Sequence, residues 1–391
     1  MKVIVKEVSN KGELKSFYQF PNKLYKKCKV YVPSLDRDQL TTLTKDPALN
    51  YCKRRLWLAY NESGKVVGRI QGVINPHYND YYEKKCIRFG WFDFENDIDI
   101  ADALLNEVSK WGAQEGMEKI HGPLFYNTLG KQGMLIEGFD KIPPFNCLYN
   151  FEYYPQFMNQ LGFEKECDWI QYEMNASQGP PPKLKRISEI LLKRYNLREV
   201  DLSEIRKDKR LLEDLKSKFF KMYNESFKSV YNFIPLTPEE EKKAGDEYFR
   251  LLRRKLTCII LDQENDIAAF GISLPSFSRA LIRTRGKLFP FGWFFILMAY
   301  IRFNTVDLLL LGASPKWESK GLSAVFHYKL ASYFKKKRLK AAISNPQIEN
   351  NNAIKVWESY EHKLFMRRRC WIKEIKEITE KTENKEKTEI K

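Results

Sequence analysis

The chain has 391 residues, 43% of them hydrophobic and 14% aromatic, which permits two or three sizeable cores and excludes a disordered chain or a disulfide-stapled miniprotein. Its formal net charge is +17, from 67 Lys and Arg against 50 Asp and Glu. That charge is unevenly placed: residues 1–174 hold 23 basic and 23 acidic side chains, so the excess belongs wholly to residues 175–391, where it would serve nucleic acid, a membrane surface or a phosphorylated cofactor, or is only lysine-rich usage on a solvated face.

In chain order, residues 1–8 alternate as a first strand, and a polar helix leads into the aromatic segment Phe17–Tyr31. Leu56–Tyr60 and Val66–Val73 are apolar runs around Asn61-Glu62-Ser63-Gly64, the pattern of a hairpin. Ile87–Phe92 reads as a strand. Ile98–Glu115 carries apolar groups at helical spacing and stops at Gly116. Strand-like pieces recur at Ile120 and Trp169–Tyr172. The polar, proline-rich run Asn175–Pro182 opens a linker over 175–189. Beyond it, charged helical sequence (184–255), a hairpin (Thr257–Leu261 and Ile267–Ile272), a buried strand (Val306–Leu311), a helix from near Gly321 to Lys336, a strand (Leu339–Ile343), a helix (Ala353–Tyr360) and a last strand (Phe365–Ile372) repeat the order of the first half. The fold expected is α/β with a mixed sheet in each half. Residues 277–300, rich in Phe and Trp, form an insert that either packs as a helix against the core or covers a groove, and core packing is the expectation. The tail 374–391 lacks hydrophobic periodicity and is expected to be disordered.

Seven cysteines without a CxxC pair point to ordinary thiols in a reducing compartment, and four histidines make no ligand cluster, so no metal is expected. The N-terminus lacks a signal-peptide core, and the most apolar stretch, Phe289–Ile301, is too short to span a bilayer, so the expected location is cytoplasmic.

The sharpest motif is Leu308 to Phe326: a buried strand, a loop with a late glycine, then an amphipathic helix. Such a loop directs successive backbone N–H groups and a helix N-terminus at one spot, a geometry suited to a diphosphate, and Lys320 adds positive charge. Within it, Glu318-Ser319-Lys320-Gly321-Leu322-Ser323 resembles the pyrophosphate loop of the GNAT superfamily of acyl-CoA N-acyltransferases, Gln/Arg-x-x-Gly-x-Gly/Ala, with Glu and Ser at its two ends. The run Asn350 to Trp357 is similar to that family's later Asn-x-x-Ala helix, with Trp in place of its tyrosine. In the first half Arg88–Asp93 corresponds to the central strand, but the carboxylate-rich run Phe94–Ile100 lacks the loop glycine and would repel a diphosphate. Passages such as Phe89–Asp93, Gly122-Pro123, Gly138-Phe139-Asp140 and Tyr149–Pro155 also resemble a bacterial protein family of this architecture.

The resemblance implies two tandem acyl-CoA N-acyltransferase-like domains, each a mixed, mostly antiparallel sheet flanked by helices: 1–174, degenerate at its cofactor site, and 190–373. It implies acetyl-CoA or another acyl-CoA as co-substrate, held by Leu311, Gly312, Ala313, Ser319, Lys320, Gly321, Leu322, Ser323 and Asn350. Tyr360 is then the substitute acid and Asp307 the base, with Glu318 as another candidate base. The function expected is transfer of an acyl group to an unidentified amine. The alternative is a noncatalytic ligand-binding or scaffold protein with a degenerate acyltransferase fold. A small-molecule amine acceptor is the expected partner, nucleic acid is disfavoured with a charged tRNA left open, and the chain is expected as monomer or homodimer. His121 is expected to be packed or solvent-facing, with an acceptor-site role as the alternative. Asn146, Asn150, Tyr153 and Tyr154 are candidates to line an acceptor pocket between the domains or to pack as an aromatic cluster.

Overall fold

A computed structural model describes residues 2–350 and 359–375. The first half runs β1 (Ile4–Glu7), α1 (Lys11–Leu24), α2 (Asp36–Lys45), β2 (Lys53–Tyr60), β3 (Val66–Ile74), α3 (Pro76–Tyr82), β4 (Cys86–Phe94), α4 (Ile98–Gln114), β5 (Lys119–Gly122), β6 (Met134–Glu137), α5 (Tyr153–Gln160) and β7 (Glu164–Asn175). The second runs α6 (Pro182–Arg194), β8 (Arg198–Glu199), α7 (Leu202–Ile205), α8 (Lys209–Ser226), α9 (Pro238–Leu251), β9 (Thr257–Leu261), β10 (Ile267–Pro275), α10 (Ser278–Thr284), α11 (Gly292–Ile301), β11 (Thr305–Ala313), α12 (Ser323–Lys336), β12 (Ala341–Ile343), β13 (Gln347–Ile348) and β14 (His362–Glu374). Most of the expected helix 353–360, and the tail beyond Ile375, lie outside the described residues.

Local chemistry accounts for the repeated pieces. The β2–β3 turn closes through Gly64, whose φ of +75° suits a residue without Cβ, and through the Asn61 side chain, which accepts from Lys65 N–H. Helix α4 starts at Asp97, which accepts from Asp99 N–H, and buries Ile100, Leu104, Leu105, Val108 and Trp111 on one face. Strands β4, β9 and β10 are buried along their whole length because helices cover both faces of the sheet there.

The strands join one continuous sheet in the order β1-β2-β3-β4-β5-β14-β7-β12-β11-β10-β9-β8. This order is two copies of a six-stranded unit, mixed and mostly antiparallel, placed side by side. Each unit has one parallel pair, β4 with β5 and β11 with β12. Their last strands are exchanged. The final strand of the chain, β14, pairs with β5 of the first half, and β7 crosses to pair with β12 of the second. The two exchanged strands pair with each other from His362↔Met174 to Ile372↔Glu164, so the seam is itself an antiparallel ladder.

Separate hydrophobic clusters lie on either side of each half-sheet. Trp371, contributed by β14, sits 1% exposed in the cluster under α4 of the first half. Because each half is completed by the other's strand, the described fold should unfold as one unit. Trp371→Ala is expected to lower stability by about 3–5 kcal/mol and to shift one denaturant transition that includes both halves. Two separated transitions in circular dichroism would contradict that coupling.

Candidate active site

Strand β11 and its parallel neighbour β12 are hydrogen-bonded only at Thr305↔Ala341, Val306↔Ala342 and Asp307↔Ile343. Beyond Asp307 the two part, while β11 continues to Ala313 on its other neighbour, β10. The separation begins at a bulge: Leu310 and Leu308 oppose Ile272 and Ser273, leaving Leu309 as an extra residue. A V-shaped opening results, and Leu311, Gly312 and Ala313 lie half-buried along its edge.

The loop after β11 tightens into a short 3-10 turn at Glu318–Lys320 and reverses at Gly321, whose φ is +73°. The space where a Cβ of Gly321 would stand is open for 4 Å. Helix α12 then begins without any side-chain cap. The N–H groups of Gly321, Leu322 and Ser323 have no backbone acceptor among the described residues, so this helix end can accept an anion. Ser319 and Lys320 are exposed beside it, and the Lys320 ammonium stands 5.6 Å from the Tyr195 ring. Glu318 is exposed in the same turn. These residues fit a diphosphate. Asn350 does not join them: it is exposed after β13, which pairs at Trp169 and Ile170, whereas the opening is bordered by Met174 and Asn175, roughly 17 Å further along β7.

The first half shows what the same scaffold looks like without such a site. Its central strand β4 has the matching bulge and the matching three-residue parallel pairing. By register, however, Asp307 is replaced by Arg88, fully buried and donating to Phe125 O, Tyr126 O and Asn232 Oδ1. The carboxylate on that strand, Asp93, is neutralised by Arg69 at 2.7 Å and accepts from Tyr25. The three residues before α4 form no glycine loop, and Asp97 already occupies the helix N-terminus.

Asp307 and Tyr360 lie on opposite sides of the opening and do not touch. Asp307 shares the sheet face of Leu309, covered by α8 to α10, whereas Tyr360 packs with Leu308, Leu330 and Phe334 against α12. Asp307 is 2% exposed, no cation lies beside it, and its Oδ2 lacks a hydrogen-bond partner among the described residues. Burial pushes its carboxyl up to about 7, moderated by the Ser276 hydroxyl. Tyr360 lines a small pocket of about 30 Å³ with Leu311 and His327, whose ring centre is 5.7 Å from its own. Desolvation raises the Tyr360 phenol and lowers His327 to about 4, so both are neutral at pH 7.

A much larger cavity, about 530 Å³, lies between the halves on the Asp307 side. The first half contributes α2, the strand β4 beyond its bulge and the segment 123–150, and the second contributes α9 and the insert. Asn146, Asn150 and Tyr154 line it, whereas Tyr153 instead donates to Phe94 O at 2.6 Å. Two ion pairs lie in its wall, Asp46 with Lys243 at 2.5 Å and Asp93 with Arg69, while Glu240 accepts from Tyr51 and Asn127 and Lys131 donates to the Ser34 hydroxyl. Asp38 and Glu247 are exposed and carry no ion pair among the described residues. Cys147 in its wall is near enough to Asp307 for that carboxylate to help raise the thiol, after burial. The α9 wall had no distinctive signal in the sequence, where it reads as an ordinary charged helix.

His121 is fully buried, away from this cavity. With Glu166 and Cys370 it forms a cluster whose ligand atoms lie within 4.8 Å of one another. The His121–Glu166 contact of 3.1 Å and the Cys370–Glu166 contact of 3.4 Å tie β5, β7 and β14 together across the seam. All seven cysteines are free thiols.

The bulged, splayed strand in each half, the glycine turn under one of them and the doubled sheet together define the tandem fold of the GNAT acyltransferases. A tandem GNAT protein from the clavulanic acid biosynthesis pathway has this fold at 10% identity and a TM-score of 0.55, over 96% of this chain and 99% of that one. A GCN5-related N-acetyltransferase from Sphaerobacter thermophilus has it at 9% identity and a TM-score of 0.51, over 96% of each chain. No family model matches the sequence. Similar proteins by sequence include protein YghO of Escherichia coli, 27% identical over 292 residues, 74% of this chain and 73% of that protein. Another is the bacterial ceramide synthase of Caulobacter vibrioides, 23% identical over 291 residues, 73% of each.

The buried Asp307 has a consequence for stability. Its folded-state pKa of about 7 lies above the ordinary 3.8, so its contribution is greatest below pH 4 and is lost as pH rises through 7. Asp307→Asn removes that dependence. The melting temperature of this variant relative to the parent should rise between pH 4 and pH 7 and then level off, as read by thermal denaturation across pH.

Proposed function

We propose that the chain is an N-acyltransferase that takes an acyl group from acetyl-CoA or another acyl-CoA and places it on a long-chain amine. The observation that carries this reading is the uncapped start of α12, beneath a central strand that leaves its neighbour beside a buried carboxylate with no ion pair among the described residues. Acyl-CoA, when bound, supplies an acyl group activated as a thioester. The N–H groups of Gly321, Leu322 and Ser323, with Lys320, hold its diphosphate, and the free edge of Leu311–Ala313 offers backbone partners to its amide-bearing arm. Asp307 accepts the proton of the acceptor amine, which approaches from the inter-half cavity past Cys147. Tyr360, protonated at working pH, stands on the thioester side and donates to the departing thiolate.

A long-chain acceptor is supported by the size of the cavity and by its apolar wall of Leu35, Phe145, Leu251, Phe277, Leu281 and Ile296. The name of the Caulobacter relative, a ceramide synthase, points the same way, because a ceramide is an N-acylated long-chain amino alcohol. Acyl-CoA as donor and seven free thiols support a cytoplasmic place for the reaction. The first half, lacking a glycine loop and holding Arg88 in place of the carboxylate, acts as the wall of the acceptor cavity.

The direct test is thiol release and product mass when the chain is given acetyl- or long-chain acyl-CoA with a sphingoid-type amine. Absence of turnover across a panel of acyl chain lengths and amines would overturn the reading. Gly321→Glu places a carboxylate at the open helix end, and calorimetry should show CoA affinity reduced at least roughly tenfold, about 1.4 kcal/mol. A base titrating at about 7 predicts that kcat/KM climbs with pH below 7 and flattens above it. Asp307→Asn should lose that limb together with most of the rate.

A further inference from the structure

The insert between β10 and β11 does not pack as the apolar core segment its composition suggests. Only its inner face does: Ile296, Ala299 and Tyr300 rest on the second-half core, and Leu281 and Ile296 form part of the cavity wall. The outer face is bare. Phe289 is 80% exposed and Phe291 69% on the connector, and Trp293, Phe294, Leu297 and Ile301 on α11 are each 45–56% exposed. The four α11 residues follow one another at helical spacing on a single stripe. An unpartnered apolar surface of this kind is costly in water and marks a contact site.

The charges around it specify the partner. Between Ser276 and Asn304 the sequence has five cations, Arg279, Arg283, Arg285, Lys287 and Arg302, and no carboxylate. All five are exposed, and none forms an ion pair among the described residues. The Arg283 guanidinium stacks 4.0 Å from the Phe295 ring, extending its charge along the apolar face. The centre of a protein interface is depleted of charge and its rim is polar and solvated, with Lys disfavoured. Phenylalanine and tryptophan on one side, flanked in the same segment by cations alone, with the acidic start of α2 meeting it only at Gly286, is instead the pattern of a helix lying in the plane of a lipid headgroup layer. Nor does the sequence beyond Ile375 offer a cover: residues 376–391 contain only Ile378 and Ile390 as large apolar side chains. Among the described residues no helix is long and apolar enough to cross a membrane.

We propose that α11 and the connector Arg285–Phe291 are a monotopic docking surface for an anionic phospholipid bilayer. The ring of cations engages lipid phosphates, and Phe289, Phe291, Trp293 and Leu297 enter the acyl boundary. One helix then separates the lipid surface from the 530 Å³ cavity, since Ile296 of the same helix lines that cavity. Under the acyl-transfer reading, a long-chain amine reaches the cavity from the bilayer without crossing water. The docking itself does not rest on that reading.

Flotation of the full chain with vesicles of phosphatidylcholine, with and without an equimolar share of phosphatidylglycerol, tests the proposal without any activity measurement. Binding should require phosphatidylglycerol and weaken with salt. The quadruple variant Phe289→Ser, Phe291→Ser, Trp293→Ser, Leu297→Ser changes only exposed side chains, so its circular dichroism should match the parent while flotation falls at least roughly tenfold. Arg283→Glu, Arg285→Glu and Lys287→Glu together should remove the preference for phosphatidylglycerol. The proposal is overturned if the parent fails to float at low salt, or if the quadruple variant floats equally well. It is also overturned if the parent ignores vesicles but dimerises through this patch, with the quadruple variant becoming monomeric in sedimentation.

Discussion

Three hydrogen-bonded residue pairs decide what this protein can do. Strand β11 stays with β12 only through Asp307, and a single extra residue at Leu309 turns it away. A parallel strand in the middle of a sheet ordinarily uses every backbone group on both sides. Here the pairing with β12 stops at Asp307, so Leu310 to Ala313 border a split in the sheet rather than a neighbouring strand. The helix end below and the small pocket at Tyr360, lined by Leu308, Leu311 and Ala342, lie along that split. Asp307 sits where the two strands part, which explains its burial with no cation beside it.

The same backbone device occurs twice, and side chains decide that only one copy is fitted for an anion. The bulge and the short parallel pairing are equally present in β4, yet Arg88 and the Asp93–Arg69 pair satisfy the interior of the first half with its own charges. Asp97 caps α4, whereas α12 begins uncapped. Two copies of one scaffold thus differ by a few buried charges and one helix end, without any change in the strand order.

Much of the scaffold was legible because it rests on local periodicity. The hairpin around Gly64, the helix from Ile98 and the strand from Val306 fall where their patterns put them, and Gly321 takes the left-handed conformation a glycine turn needs. The exchange of β7 and β14 was not legible: an alternating strand carries the same pattern whichever neighbour it joins. The cavity escaped for a related reason. Glu240 and Lys243 on α9 read as solvated helix residues, and only the approach of Tyr51, Asn127 and Asp46 from the other half makes them a wall. The composition of residues 277–300 suggested packing because burial is the usual fate of Phe and Trp, but the small inner face of α11 accommodates only part of them.

The exchanged strands also bear on how the molecule is made. Gly122 on β5 is paired by Trp371, almost the last described residue to leave a ribosome. Until it arrives, β5 ends in an open row of amides and carbonyls, and β7 has a partner only after β12 has been synthesised. The first half therefore cannot close during its own synthesis, as an ordinary amino-terminal domain would. Its unfinished edge must be held, by a chaperone or by speed, until the carboxyl-terminal strand slides in as the keystone of a sheet begun long before.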